Sequence, residues 1–165
     1  MTLYAADKLI AQARVLAAEY RRTMGKPLPG ISNEIAEFDA VKLLSLEARP
    51  EGEGGYNAID PARGDKRIQI KSRTIFDESK SGQRLGQLKL EKEWDSVLLV
   101  LMDENYEPYE IYEVERDDII EQLEKSSGNR AKRGAMSVSR FKIIGRLAWT
   151  RENGLEPEVW DNRAG

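Results

Sequence analysis

The 165 residues include no cysteine and no histidine. These two absences remove disulfides, thiol nucleophiles, zinc sites of the Cys/His type and every imidazole-based acid–base arrangement. Any metal would have to be held by oxygen, which narrows the ions to hard cations such as Mg²⁺, Mn²⁺ or Ca²⁺. Any general base would be a carboxylate, a lysine, a tyrosine or a positioned water. Positive charge is not in excess either: 26 Lys and Arg face 29 Asp and Glu, a net of -3, so a nucleic-acid surface would have to be a local patch. No run approaches the roughly 18 apolar residues that a membrane helix needs, and "MTLYAADKLI" places no basic segment ahead of an apolar one. A soluble, cytoplasmic protein without a membrane partner is expected.

What is present fits one α/β domain of common size, with 40% hydrophobic residues to fill a core. Residues 1–150 read as a single domain that includes an N-terminal helix at 3–24, and 151–165 as a peripheral tail. The first helix is rich in Ala, Leu and Arg and stops at Gly25, Pro27 and Pro29. A second helix, capped by Ser32 or Asn33, runs to about Leu46 before "PEGEGG". "YNAID" (56–60) and "KRIQIKS" (66–72), split by "PARGD", predict a β-hairpin. Residues 77–83 read as an exposed loop, and "RLGQLKLEKE" (84–93) matches neither period. "SVLLVLM" (96–102) has the continuous apolar character of a strand covered on both faces, which places the sheet's centre near Leu99; "YEIYEV" (109–114) alternates. A surface helix at 116–125, a basic loop "SSGNRAKRG" and a short helix capped by Ser139 and ending near Gly145 follow. This order suits an α/β sandwich better than a regular βαβ series.

The functional question sits in "RIQIKSR" (67–73), where Ile68 and Ile70 supply a buried face and Gln69 and Lys71 share the other. Such a face is either an ordinary wet surface or one wall of an active site. In the second helix, steps of about 100° place Glu34 roughly 30 to 70° from the mean direction of Ile31, Ile35, Phe38, Val41 and the leucines. Glu37 falls further away, so Glu34 is expected to be the carboxylate nearer the sheet. A carboxylate there needs a partner. Asp60 on the first hairpin strand, with Gln69 and Lys71 on the second, would complete a set suited to phosphodiester cleavage. In that chemistry a divalent ion offsets developing charge and a lysine orients or activates water.

These residues resemble the PD-(D/E)xK, or restriction-endonuclease-like, nuclease superfamily, in the variant with glutamine in place of the acid of the last triplet. Glu34 in "NEIAEF", the "GYNAID" strand and "IQIK" carry the likeness, which covers roughly residues 30 to 115. In particular the chain is similar to a bacterial branch with Gly-Glu in the helix, Gly-x-Asp-Ala on the first strand and Gln-Ile-Lys on the second. The resemblance implies a restriction-endonuclease-like three-layer sandwich, a mixed central sheet flanked by helices. It also implies phosphodiester hydrolysis dependent on Mg²⁺ (or Mn²⁺), with nucleic acid, DNA first, as the partner. By the same resemblance Glu34, Gln69 and Lys71 are catalytic; Asp60, Gln69, Asn57 and the Ile70 carbonyl are the metal candidates.

One departure is visible. Asn57 stands where the branch carries aspartate, and Asp60 falls on what should be the opposite strand face. Either Asp60 takes over through a bulge or turn before Pro61, or the site has lost a principal ligand. The rival is therefore a catalytically silent nucleic-acid-binding module on the same fold; a third reading is an assembly subunit that forms a homodimer through a sheet edge. Backbone contacts to nucleic acid would come from Arg73 and from Arg130, Lys132 and Arg133 in the basic loop, near Arg140, Lys142 and Arg146, with a solvated loop as the competing reading. "GEGG" (52–55) lacks the Lys-Ser/Thr ending of a phosphate-binding loop and reads as a flexible lead into the hairpin.

Overall fold

The computed structural model describes residues 3–49, 54–76, 84–85, 88–125 and 135–156. Its elements are α1 (Leu3–Met24), α2 (Ile31–Leu43), β1 (Glu47–Ala48), β2 (Ala58–Asp60), β3 (Lys66–Thr74), β4 (Ser96–Met102), β5 (Pro108–Glu115), α3 (Arg116–Lys125), α4 (Val138–Ile144), β6 (Arg146–Thr150) and β7 (Gly154–Leu155). A 3₁₀ turn, Pro61–Arg63, joins β2 to β3. The strands form one sheet in chain order, antiparallel throughout except for the parallel β3–β4 pair. The described residues thus form a mixed α/β fold with helices on both faces of a mixed sheet. None of their helices is long and apolar enough to cross a membrane.

Every residue of β4 is buried, as its unbroken apolar run requires of a strand with both faces covered. Alternation along β4 divides the core in two. Leu98 and Val100 meet Ile68, Ile70, Ile111 and the alanines of α1 and α2, whose small side chains let the helices lie close. Val97, Leu99 and Leu101 meet Trp94, Leu88, Ile119 of α3 and Phe141 of α4. Leu99→Ala should therefore lower the unfolding free energy by about 3 kcal/mol, the usual cost of a cavity at a site that cannot collapse. Urea denaturation checks this, and a loss below about 1 kcal/mol would mean that the second face is loosely packed.

The hairpin, both central strands and the helix at 116–125 lie where the sequence puts them. The first helix, Leu3–Met24, does too, but the caps of the other two helices do not. α2 begins at Ile31 behind Gly30, whose φ of 82° is a conformation that favours glycine, and no side chain caps it. Asn33 instead accepts a hydrogen bond from Ser72 Oγ (2.8 Å), which fastens the helix to β3. α4 is capped by Ser137, not Ser139: its Oγ accepts from the Arg140 N–H. The described part of the undecided stretch, 84–85 and 88–93, is largely irregular, with a bridge from Arg84 to Ser137 and a turn near Leu90. The sheet also runs beyond the expected boundary at 150, because β7 pairs with β6. The loop at 77–83 and the last residues, 157–165, lie outside the described residues.

Candidate functional site

Gln69, Lys71 and Arg73 pair in register with Val97, Leu99 and Leu101 of β4, so the three side chains share the sheet face that α3 and α4 cover. Gln69 is only 4% exposed. Its Nε2 donates to the Gly55 carbonyl (3.0 Å), and its Oε1 has no partner among the described residues. An unmet acceptor at such depth costs about 1–3 kcal/mol. Lys71, half-buried beside it, makes no hydrogen bond or ion pair with a described residue. Burial, then the charges of Lys89 and Arg73, push its pKa below the ordinary lysine value. Arg73 donates to the carbonyls of Arg84 and Ser72, and burial lowers its pKa as well. Arg84 Nε is a second buried polar atom without a partner among the described residues. Among the described residues, these cations have no carboxylate to answer them.

The surroundings hold this face in place. A Cβ on Gly55 would lie 2.2 Å from Lys92 Cβ, so only glycine lets its carbonyl reach Gln69. The end of "GEGG" is thus a constrained contact and not merely a flexible lead. The segment carrying Lys89 is fastened by Arg116, which stacks over Trp94 (4.5 Å to the ring) and donates to the carbonyls of Leu90, Lys92 and Trp94. Trp94 Nε1 in turn donates to the Lys89 carbonyl (2.8 Å). Lys89 was hidden in the stretch whose period matched nothing, and no local signal in the sequence marks it.

The remaining sequence candidates do not gather here. Glu34 is exposed, on a helix packed against the opposite, Ile68–Ile70 face, and no hydrogen bond or ion pair joins it to Gln69 or Lys71. The buried residues of α2 are Ile35, Ala36, Asp39 and Ala40. Steps of 100° put Glu34 about 170° from their mean direction, so it points to solvent. The stripe of Ile31, Ile35, Phe38, Val41 and the leucines leaves out Ala36, Ala40 and Asp39, whose carboxylate is buried against Arg14 of α1 (2.8 Å). Glu37, not Glu34, is the acid that meets the hairpin: its Oε1 accepts from Asn57 Nδ2 (2.9 Å), while Asn57 Oδ1 accepts from the Ile70 N–H (2.7 Å). Asp60 is also committed, accepting from the Ala62 N–H (3.0 Å) and pairing with Arg63 (2.6 Å). Arg130, Lys132 and Arg133 lie outside the described residues. Of the neighbouring cations, Arg146 pairs with Glu113 and Lys142 lies 3.6 Å from Glu110.

As placed among the described residues, these donors do not by themselves assemble the Mg²⁺ or Mn²⁺ site that the resemblance implies. Gln69 offers one neutral oxygen beside cations, the Asn57 oxygen is taken by a backbone N–H, and both Asp60 oxygens are engaged. Among the described residues no three acidic groups converge on one point. Asn57→Asp would change this locally by placing two carboxylates where an amide now bridges. In a chelator it should cost about 1–3 kcal/mol through the lost hydrogen bond and like-charge repulsion, and added Mn²⁺ should restore the loss. Thermal melts with and without Mn²⁺ check this; an unchanged melting temperature in chelator would mean that Asn57 and Glu37 are not in contact. Compared with known proteins, the chain matches no family model and no curated sequence.

Proposed function

We propose that the protein is a nucleic-acid-binding module on a restriction-endonuclease-like framework, engaging phosphate through the Gln69–Lys71–Arg73 face together with Lys89. The observation that carries this reading is the pair of half-buried cations, Lys71 and Arg73, without a described carboxylate partner. A protein keeps uncompensated, partly desolvated charge at a cost, and an incoming anion repays it. A phosphate would also relieve the repulsion from Lys89 and Arg73 that adds to burial in depressing Lys71. The framework reading rests on the helix–hairpin–strand order, the mixed sheet with helices on both faces, and the Gln-x-Lys strand.

Affinity for short DNA or RNA in the presence of a chelator should fall with salt, with about 0.7–0.9 unit of slope on a log–log plot per phosphate neutralised. Lys71→Met keeps the apolar stem and should remove about one such unit. Fluorescence-anisotropy titrations at several salt concentrations test this; a wild type that binds no oligonucleotide at low salt overturns the reading. One observation favours a second reading, metal-dependent phosphodiester hydrolysis: a lysine of lowered pKa beside an orphan buried acceptor is also what a reaction centre presents. Cleavage that is lost in Lys71→Met while binding persists would favour it.

A further inference from the structure

On the opposite side of the molecule, α1, α2 and the β4–β5 turn line a cleft of about 600 Å³ to which β6 adds Trp149 and the turn after it Arg151. Its volume lies within the roughly 300–1,000 Å³ of small-molecule sites. We propose that this cleft binds a small organic ammonium ion carrying a flat apolar body.

The lining separates into three parts. Ile10, Leu43, Phe38 and Trp149 give an apolar surface with two aromatic rings. Lys42–Asp7 and Arg151–Asp103, both at 2.8 Å, are matched pairs. The third part is unbalanced: Arg14 is held by both oxygens of Asp39 and by the Tyr106 carbonyl, and the same guanidinium is the partner of Glu107, at 3.4 Å from Nε. Two carboxylates thus share one cation. Asp39 has the short contacts, and Glu107, its side chain 54% exposed, keeps an under-compensated negative charge at the cleft. An ammonium group answers that charge, and aromatic faces attract cations and flat apolar bodies alike.

The turn that presents Glu107 is firmly built. Asp103 accepts from the N–H groups of Asn105 and Glu107. Tyr106 takes a φ of 62°, a conformation bulky side chains rarely adopt, and is held there with its ring buried edge-on against Phe76. The carboxylate is therefore presented from a fixed frame, which limits the ordering that binding must impose.

The test is a calorimetric titration of the whole chain with phenethylammonium, phenylacetate and n-butylammonium. Phenethylammonium should bind at one site, phenylacetate should not bind, and n-butylammonium, without a ring, should bind at least tenfold more weakly. Glu107→Gln should weaken phenethylammonium at least tenfold with little change in melting temperature. Phe38→Leu, at a position outside the packed core, should weaken it severalfold. No binding of phenethylammonium overturns the proposal, as does unchanged affinity in Glu107→Gln or equal binding of phenylacetate.

Discussion

Glu113→Ala should cost about 3 kcal/mol of stability at neutral pH and should abolish one component of the acid sensitivity of the fold. The Glu113 side chain is buried on β5, yet it meets Arg63 (2.8 Å), Arg146 (2.7 Å) and Ser96 Oγ (2.7 Å), with Lys66 at 3.9 Å. Burial alone would raise its pKa, but hydrogen bonds and charge from Arg63, with Ser96 and Lys66, outweigh it and bring the value down to about 2 from an ordinary 4.5. A carboxyl whose folded pKa lies below its unfolded one adds stability above the unfolded value and loses it as pH falls through the folded one. The window is therefore from about 4.5 down to about 2, and the shift corresponds to about 3 kcal/mol. Urea denaturation of wild type and variant should differ by that amount at pH 7, with the gap closing as the wild type is acidified through the window. A constant gap across the window would mean that the carboxylate acts by packing and not by charge.

Lys71→Glu should weaken oligonucleotide binding by at least about tenfold while making the fold more stable, by about 0.5–1 kcal/mol. The two effects share a cause. Lys71 is depressed first by burial and then by the charges of Lys89 and Arg73, and a carboxylate in its place would turn the second of these, repulsion, into attraction. Sites kept for binding commonly hold such unfavourable charge, and the stabilising change is then the one that costs function. Chemical denaturation and anisotropy on the same preparation read both quantities. If Lys71→Glu lost stability, partners of Lys71 other than these cations would have to exist. If it bound as tightly as the wild type, the phosphate site would have to lie elsewhere.

Which parts of the fold could be read in advance follows from where the information is local. The run Ser96–Met102 declares itself through seven apolar or small residues, and the hairpin through "PARGD" between two short β-like runs. The face of α2 does not, because its buried residues include Ala36, Ala40 and Asp39, small or polar side chains that periodicity does not mark, and Asp39 is buried only against Arg14, a partner 25 residues away on another helix. Reading the face from Ile31, Ile35, Phe38, Val41 and the leucines, without these three, rotates the wheel and promotes Glu34 over Glu37. Residues Arg84–Glu93 follow no period because tertiary contacts, Arg116 over Trp94 and a bridge to Ser137, decide their path. The pairing of Gln69 with Lys71 was legible from the two-residue repeat. The cations that complete the face were only partly so: Arg73 continues the repeat, while Lys89 comes from the segment without one. Asp60 is offered by the motif as a ligand and by its place before Pro61 equally as a turn residue, and in the fold it is the cap of the 3₁₀ turn and the partner of Arg63.

The most direct test of the binding reading is a single titration of labelled single- and double-stranded DNA and RNA, run in a chelator, in Mg²⁺ and in Mn²⁺. Each tube is read first by anisotropy and then on a denaturing gel. At matched ionic strength the binding curves should be the same in chelator as with metal, all binding should weaken in Lys71→Met, and the recovered strands should keep their full length. Strands shortened only where Mg²⁺ or Mn²⁺ is present, with the shortening lost in Lys71→Met, would contradict the binding module and establish a nuclease in its place.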